Sequence, residues 1–128
     1  MFVYYLNVPQ NMAGIEEFES YDEEMPNVKT FELTQEEYEI LRQPKGLFQI
    51  FDEKFGTIID VCEEERIDSD DLEEALQLAN TMLSKQKNDL AIKALGKVID
   101  SLKSAIEAGT FWEIDIYLET SYEKSSVN

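Results

Sequence analysis

The chain has no histidine and only one cysteine in 128 residues. Without histidine it cannot assemble a Ser-His or Cys-His nucleophilic pair. A single cysteine, Cys62, permits no intrachain disulfide, and a zinc site would lack its usual ligands. Cations are scarce as well: eleven lysines and arginines stand against twenty-eight aspartates and glutamates, a net charge of −17. That field repels nucleic acid and anionic membrane surfaces, which are bound by cations that displace counterions. Glycine and proline number five and three, and no glycine-rich phosphate loop occurs. No apolar run approaches the roughly 18 residues of a membrane span. The opening MFVYYLNVPQ has neither a basic segment nor a small-residue cleavage site, so no signal peptide is expected. A reducing, cytoplasmic setting fits the cysteine count.

What is present argues for a folded domain. Hydrophobic residues make up 43% of the chain, with seven Phe, six Tyr and one Trp, too much for an acidic disordered tail. The length suits one domain that buries roughly two thirds of its unfolded surface. A single domain over 1–119 is expected, with 120–128 as a loose tail.

Residues 2–8 read as an inner strand: Phe2, Tyr4, Leu6 and Val8 share one face, and the other still carries Val3 and Tyr5. Residues 9–27 are irregular and acidic, with Ile15, Phe18, Tyr21 and Met25 at spacings of three and four. One helical turn or a long loop pinned by aromatics both fit them. A second strand spans 28–33. Thr34 and Glu37 then form a capping box for a helix over 35–42 that stops before Pro44. A short helix over 47–54 that closes on Gly56 is expected, with a strand over 47–52 as the competing reading.

The stretch 58–83 organises the centre of the chain. A strand is expected over 57–64. An acidic junction follows, with Asp68 as helix cap and Asp71 at the third helical position. The next helix buries Leu72, Ala75, Leu76, Ala79, Met82 and Leu83. After a break at 87–88, a helix over 89–108 ends at Gly109. A last strand over 111–119 points Trp112, Ile114, Ile116 and Leu118 one way, and Glu113, Asp115, Tyr117 and Glu119 the other. The whole reads as an α+β fold: a mixed or antiparallel sheet of about four strands, with three to four helices mainly on one face.

Three constellations bear on function. The carboxylates between Asp60 and Asp71 suit a hard cation in type, but Leu72 occupies the third position of a calcium loop and no loop glycine follows. Helix capping explains Asp68 and Asp71. Glu113, Asp115 and Glu119 lie on the outward face of the last strand, where solvent exposure is expected rather than the burial that splits paired carboxylates into acid and base. The third is distributed: residues 16–39 hold ten acids and one lysine, and 60–74 hold nine acids and one arginine. Nineteen of the twenty-eight acids thus fall in two blocks, with Phe18 and Tyr21 inside the first.

These patterns predict a non-enzymatic protein, with no cofactor and no metal, that captures a basic partner by steering charge and aromatic anchors. In size and charge the chain is comparable to small acidic bacterial immunity proteins that neutralise basic toxin nucleases, although no motif carries that comparison. The expected partner surface is Glu16, Glu17, Phe18, Glu19, Tyr21, Asp22, Glu23 and Glu24 from the first block, and Glu63, Glu64, Glu65, Asp68, Asp70 and Asp71 from the second. The alternatives are a carboxylate-based metal-binding or hydrolytic domain, or a structural domain with no ligand.

Overall fold

A computed structural model describes residues 1–60 and 64–119; Cys62, Glu63 and the expected tail lie outside the described residues. Four strands form one antiparallel sheet: β1 (Phe2–Pro9), β2 (Val28–Leu33), β3 (Glu64–Ile67) and β4 (Trp112–Leu118), in the spatial order β2-β1-β4-β3. The helices are α1 (Met12–Glu19), α2 (Gln35–Arg42), α3 (Leu47–Phe55), α4 (Leu72–Lys85) and α5 (Asp89–Ala108), with a 3-10 turn over Ser69–Asp71 before α4.

Local chemistry accounts for most boundaries. The Thr34 hydroxyl accepts from the Glu37 backbone N–H at 3.1 Å, and the Glu37 carboxylate accepts from the Thr34 N–H at 2.8 Å. Two orphan donors of α2 are thereby satisfied. Gly56 and Gly109 both take φ near 71° and end α3 and α5 in the left-handed conformation that glycine adopts without strain. Asn88 caps α5 by accepting from Ala91 N–H.

The even-numbered face of β1 (Tyr4, Leu6, Val8) and Trp112, Ile114 and Ile116 of β4 pack against α2 to α5 in one core. Trp112 is fully buried, and its indole N–H donates to Ser101 Oγ at 2.8 Å. This is the layer expected from the alternation of the strands.

Two expectations about the centre fail. The strand expected over 57–64 is not found where the structure can test it: residues 57–60 are not in the sheet, 61–63 lie outside the described residues, and β3 as described is Glu64–Ile67. Asp52 is the reason. Its carboxylate accepts from the Thr57 hydroxyl at 2.6 Å and the Ile59 N–H at 3.0 Å, so α3 rather than a ladder holds this β-branched segment. The cap role of Asp68 also fails at the side chain, which makes no capping hydrogen bond, nor does that of Asp71. The helix opens with a tight turn in which Asp71 N–H bonds the Asp68 carbonyl at 3.0 Å, so the backbone supplies the partner.

Candidate functional site

The second face of the sheet is polar, and the strand register builds it in rows. Thr30, Asn7, Glu113 and Arg66 stand opposite one another across β2, β1, β4 and β3, and Glu32, Tyr5, Asp115 and Glu64 form the next row. Because side chains alternate along a strand, both rows project away from the helical core. Within them Thr30 Oγ1 donates to Asn7 Oδ1 at 2.7 Å, Asn7 Nδ2 donates to Asp115 Oδ2 at 2.5 Å, and Arg66 holds Glu113 through Nε at 3.1 Å and Nη2 at 3.0 Å.

This face is not left open. Helix α1 lies over it, so the expectation of solvent exposure for Glu113 is wrong: its residue exposure is 5%, while Asp115 is half-buried. Residues 9–27 are thus not one long loop. Asn11 caps α1 by accepting from Gly14 N–H at 2.9 Å. Glu17 accepts from the backbone and side chain of Asn27 at 3.0 and 2.7 Å, tying α1 to the start of β2. A Cβ at Gly14 would overlap the Asn27 carbonyl, so only glycine permits this approach. Phe18 packs edge-on against Phe111 at 5.9 Å, and the Arg66 guanidinium lies 3.7 Å from the centre of the same Phe111 ring. Tyr21 follows with φ of 54°, a left-handed backbone uncommon outside glycine and asparagine.

Between α1, its following loop and the polar face lies a cavity of about 560 Å³, lined by Tyr5, Asn7, Phe18, Tyr21, Asp22, Met25, Thr30, Glu64, Glu113, Asp115 and Tyr117. Ligand-capable oxygens of Glu64, Glu113 and Asp115 lie within 4.8 Å of one another, and among the described residues this is the one group of acids so close. Burial, followed by hydrogen bonding and repulsion from Asp115, pushes the Glu113 carboxyl up to about 8, and Arg66 offsets this only in part. Burial also raises the Tyr117 hydroxyl, with Tyr5 and Glu119 adding to it.

The structure brings part of the expected surface together. Phe18, Tyr21 and Asp22 from the first acidic block and Glu64 from the second line this one cavity. Glu16, Glu19, Glu23 and Glu24 are exposed around it in sequence, whereas Glu17 is occupied by Asn27. Glu65 alternates to the opposite side of β3, paired with Ile114. Asp68, Asp70 and Asp71 are exposed beyond the end of β3 and do not line the cavity. Glu113, Asp115, Tyr5 and Tyr117 were not in the expected partner surface. Their signal was the polar alternation of 113–117, together with Phe18, Tyr21 and Met25 at helical spacing, which have no place in the helical core.

A larger groove of about 710 Å³ runs between the α2–α3 corner and α4, lined mainly by Ile40, Ile50, Leu78 and Met82 with Lys45 and Lys85. Glu74 is the one acid among its lining residues, and among the described residues the close group of three carboxylates lies at the smaller cavity. Among the described residues no helix is long and apolar enough to cross a membrane. No protein-family model, no curated protein and no solved structure matches this chain.

Proposed function

We propose that this is a non-enzymatic binding protein that captures a basic partner protein electrostatically, with the cavity on the polar face at the centre of the contact. The observation that carries this reading is that one acid from each block, Asp22 and Glu64, lines a single aromatic-walled cavity together with Glu113 and Asp115. A net charge of −17 accelerates encounter with a cationic surface, and the rings of Phe18, Tyr21 and Tyr117 supply contact area that charge alone does not. A basic nuclease, whose own surface is built to meet phosphates, is the class of partner such an acidic face suits, and the protein would act on it as an inhibitor.

The test is capture from native lysate at low salt, followed by titration of the isolated pair. Affinity is expected to fall at least about tenfold between roughly 50 and 500 mM salt, because exposed charges are screened over this range. Charge reversal at the cavity mouth, D22K with E64K, should weaken binding through a slower association rate, while E73K with E74K on α4 should change it far less. Binding indifferent to both salt and D22K/E64K would contradict the reading.

A further inference from the structure

The helical side of the sheet carries the larger groove, of about 710 Å³. Its long wall is one stripe of α4: Glu74, Gln77, Leu78, Thr81, Met82 and Lys85 recur at spacings of three and four. From Glu74 to Lys85 that wall is about 16 Å long. Ile40 of α2 and Ile50 of α3 form the other wall, and the buried side chains Leu41, Leu47 and Leu95 form the floor. Ile40, Ile50, Leu78 and Met82 are only half-buried, so the groove leaves apolar surface in water that a ligand would cover.

Width and lining limit the occupant. A volume of 710 Å³ over about 16 Å is a mean cross-section of roughly 45 Å², about half that of a helix 10 Å across. The volume falls within the range of small-molecule sites. Protein contacts are anchored by Trp, Tyr and Arg, and none of these, nor Phe, is among the described residues that line this groove. Aliphatic walls with the adaptable side chain of Met82 suit an alkyl chain. An extended chain advances roughly 1.2 Å per bond, so about twelve carbons run the length of the groove.

The two ends differ in charge. Glu74 stands at the start of the α4 wall and Lys85 at its end, where Gln86 and Asn88 also line the groove. The Gln86 side-chain oxygen accepts from the N–H groups of Lys87 and Asn88 at 3.2 and 3.3 Å, and the Asn88 side-chain oxygen accepts from Ala91 N–H at 3.0 Å. Both amides thus have their acceptors engaged and retain NH2 donors. Lys45 adds a second ammonium from the α2–α3 turn. Two lysines against one acid reverse the balance of a chain with twenty-eight acids and eleven bases. A carboxylate, whose oxygens only accept, complements this set of donors, and repulsion from distant acids is screened beyond about 8 Å at physiological salt. We propose that the groove binds one free alkyl carboxylate, a fatty acid, with its chain along α4 and its head at the corner of Lys85, Gln86 and Asn88. The site lies on the opposite side of the sheet from the proposed partner surface and is independent of that reading.

The experiment adds monomeric octanoate, decanoate and dodecanoate to the whole chain at physiological salt, read by calorimetry and by methyl NMR of Ile40, Ile50, Leu78 and Met82. These methyls should shift, and affinity should rise about tenfold for each two methylenes added. Decanoate should bind severalfold more tightly than decylammonium, against the sign of the whole chain. Lys45 takes φ of 66°, where glycine is unstrained, so K45G removes an ammonium without straining the fold. K45G with K85Q should weaken decanoate binding severalfold and leave 1-decanol binding unchanged. No shift of these methyls with dodecanoate, or an affinity flat in chain length, would overturn the site. Decylammonium binding as tightly as decanoate, or decanoate binding indifferent to K45G/K85Q, would overturn the carboxylate head. Binding to vesicles of anionic phospholipid without binding of monomeric dodecanoate would overturn the free fatty acid as the occupant.

Discussion

Glu37 and Glu113 are both buried, at 1% and 5% exposure, and each carries one cation: Lys97 Nζ lies 2.7 Å from Glu37, and Arg66 Nη2 lies 3.0 Å from Glu113. Their acidities nevertheless move in opposite directions. Burial would raise Glu37, but Lys97 together with the backbone and hydroxyl of Thr34 more than reverses it and holds the carboxyl below its ordinary range. Burial raises Glu113 as well, and there the next neighbour is Asp115, which raises it further. A single cation does not fix the state of a buried acid; it is weighed against burial and the remaining neighbours. At the start of α2 those neighbours are donors, and the acid is structural. On the polar face they are acceptors, and the acid remains able to exchange its proton.

The sharpest way to break the comparison is to remove the cation from the structural site. Lys97→Met leaves Glu37 ionised and buried with only Thr34 for company, and should destabilise the fold by about 3 kcal/mol at neutral pH in urea unfolding. The loss should shrink on acidification as Glu37 takes up a proton. In the wild type, the depressed Glu37 contributes stability that is present above the unfolded value near 4.5 and is lost as pH falls through its lower folded value.

Glu113→Gln probes the other site, and its sign is opposite. The folded state holds a proton that the unfolded chain has released between pH 4.5 and about 8, so this group's contribution to stability falls as pH rises through that window. Glu113→Gln should be near neutral at pH 5 and stabilising by on the order of 1–2 kcal/mol at pH 9, read as a difference in melting temperature from wild type at each pH. Asp115→Asn should move Glu113 toward the behaviour of Glu37 and flatten the same alkaline decline by a smaller amount. The smallest effect is expected from Thr34→Ala, about 1 kcal/mol from loss of the cap, with a rise in the Glu37 midpoint that chemical denaturation and titration would detect together.

The two sites were unequally legible in the sequence. The capping box of Thr34 and Glu37, the strand over Val28–Leu33 and the helix over Asp89–Ala108 are encoded locally, by caps, alternation and terminal glycine, and the structure follows them. The pairing of Glu37 with Lys97, sixty residues away, has no local signal. The polar-face site is also tertiary. Alternation placed Glu113 and Asp115 away from the helical core, but burial of Glu113 depends on α1 crossing that face, and α1 is held there by Asn11, Gly14, Glu17 and Asn27. The absence of sheet pairing at 57–60 has the same origin. Ile58 and Ile59 have strand propensity, but Asp52 bonds their segment while Glu64–Ile67 pairs with β4. Tertiary partners override propensity most easily in short strands.

The central claim is that two buried acids, each with one cation, are shifted in opposite directions: donors outweigh burial at Glu37, whereas burial and Asp115 outweigh Arg66 at Glu113. A carbon-detected pH titration that follows the side-chain carboxyls of Glu37 and Glu113 in one sample tests it most directly. The account predicts a Glu37 midpoint below the ordinary carboxyl range and a Glu113 midpoint near 8. Two midpoints together in the ordinary range, or in the reverse order, would contradict it.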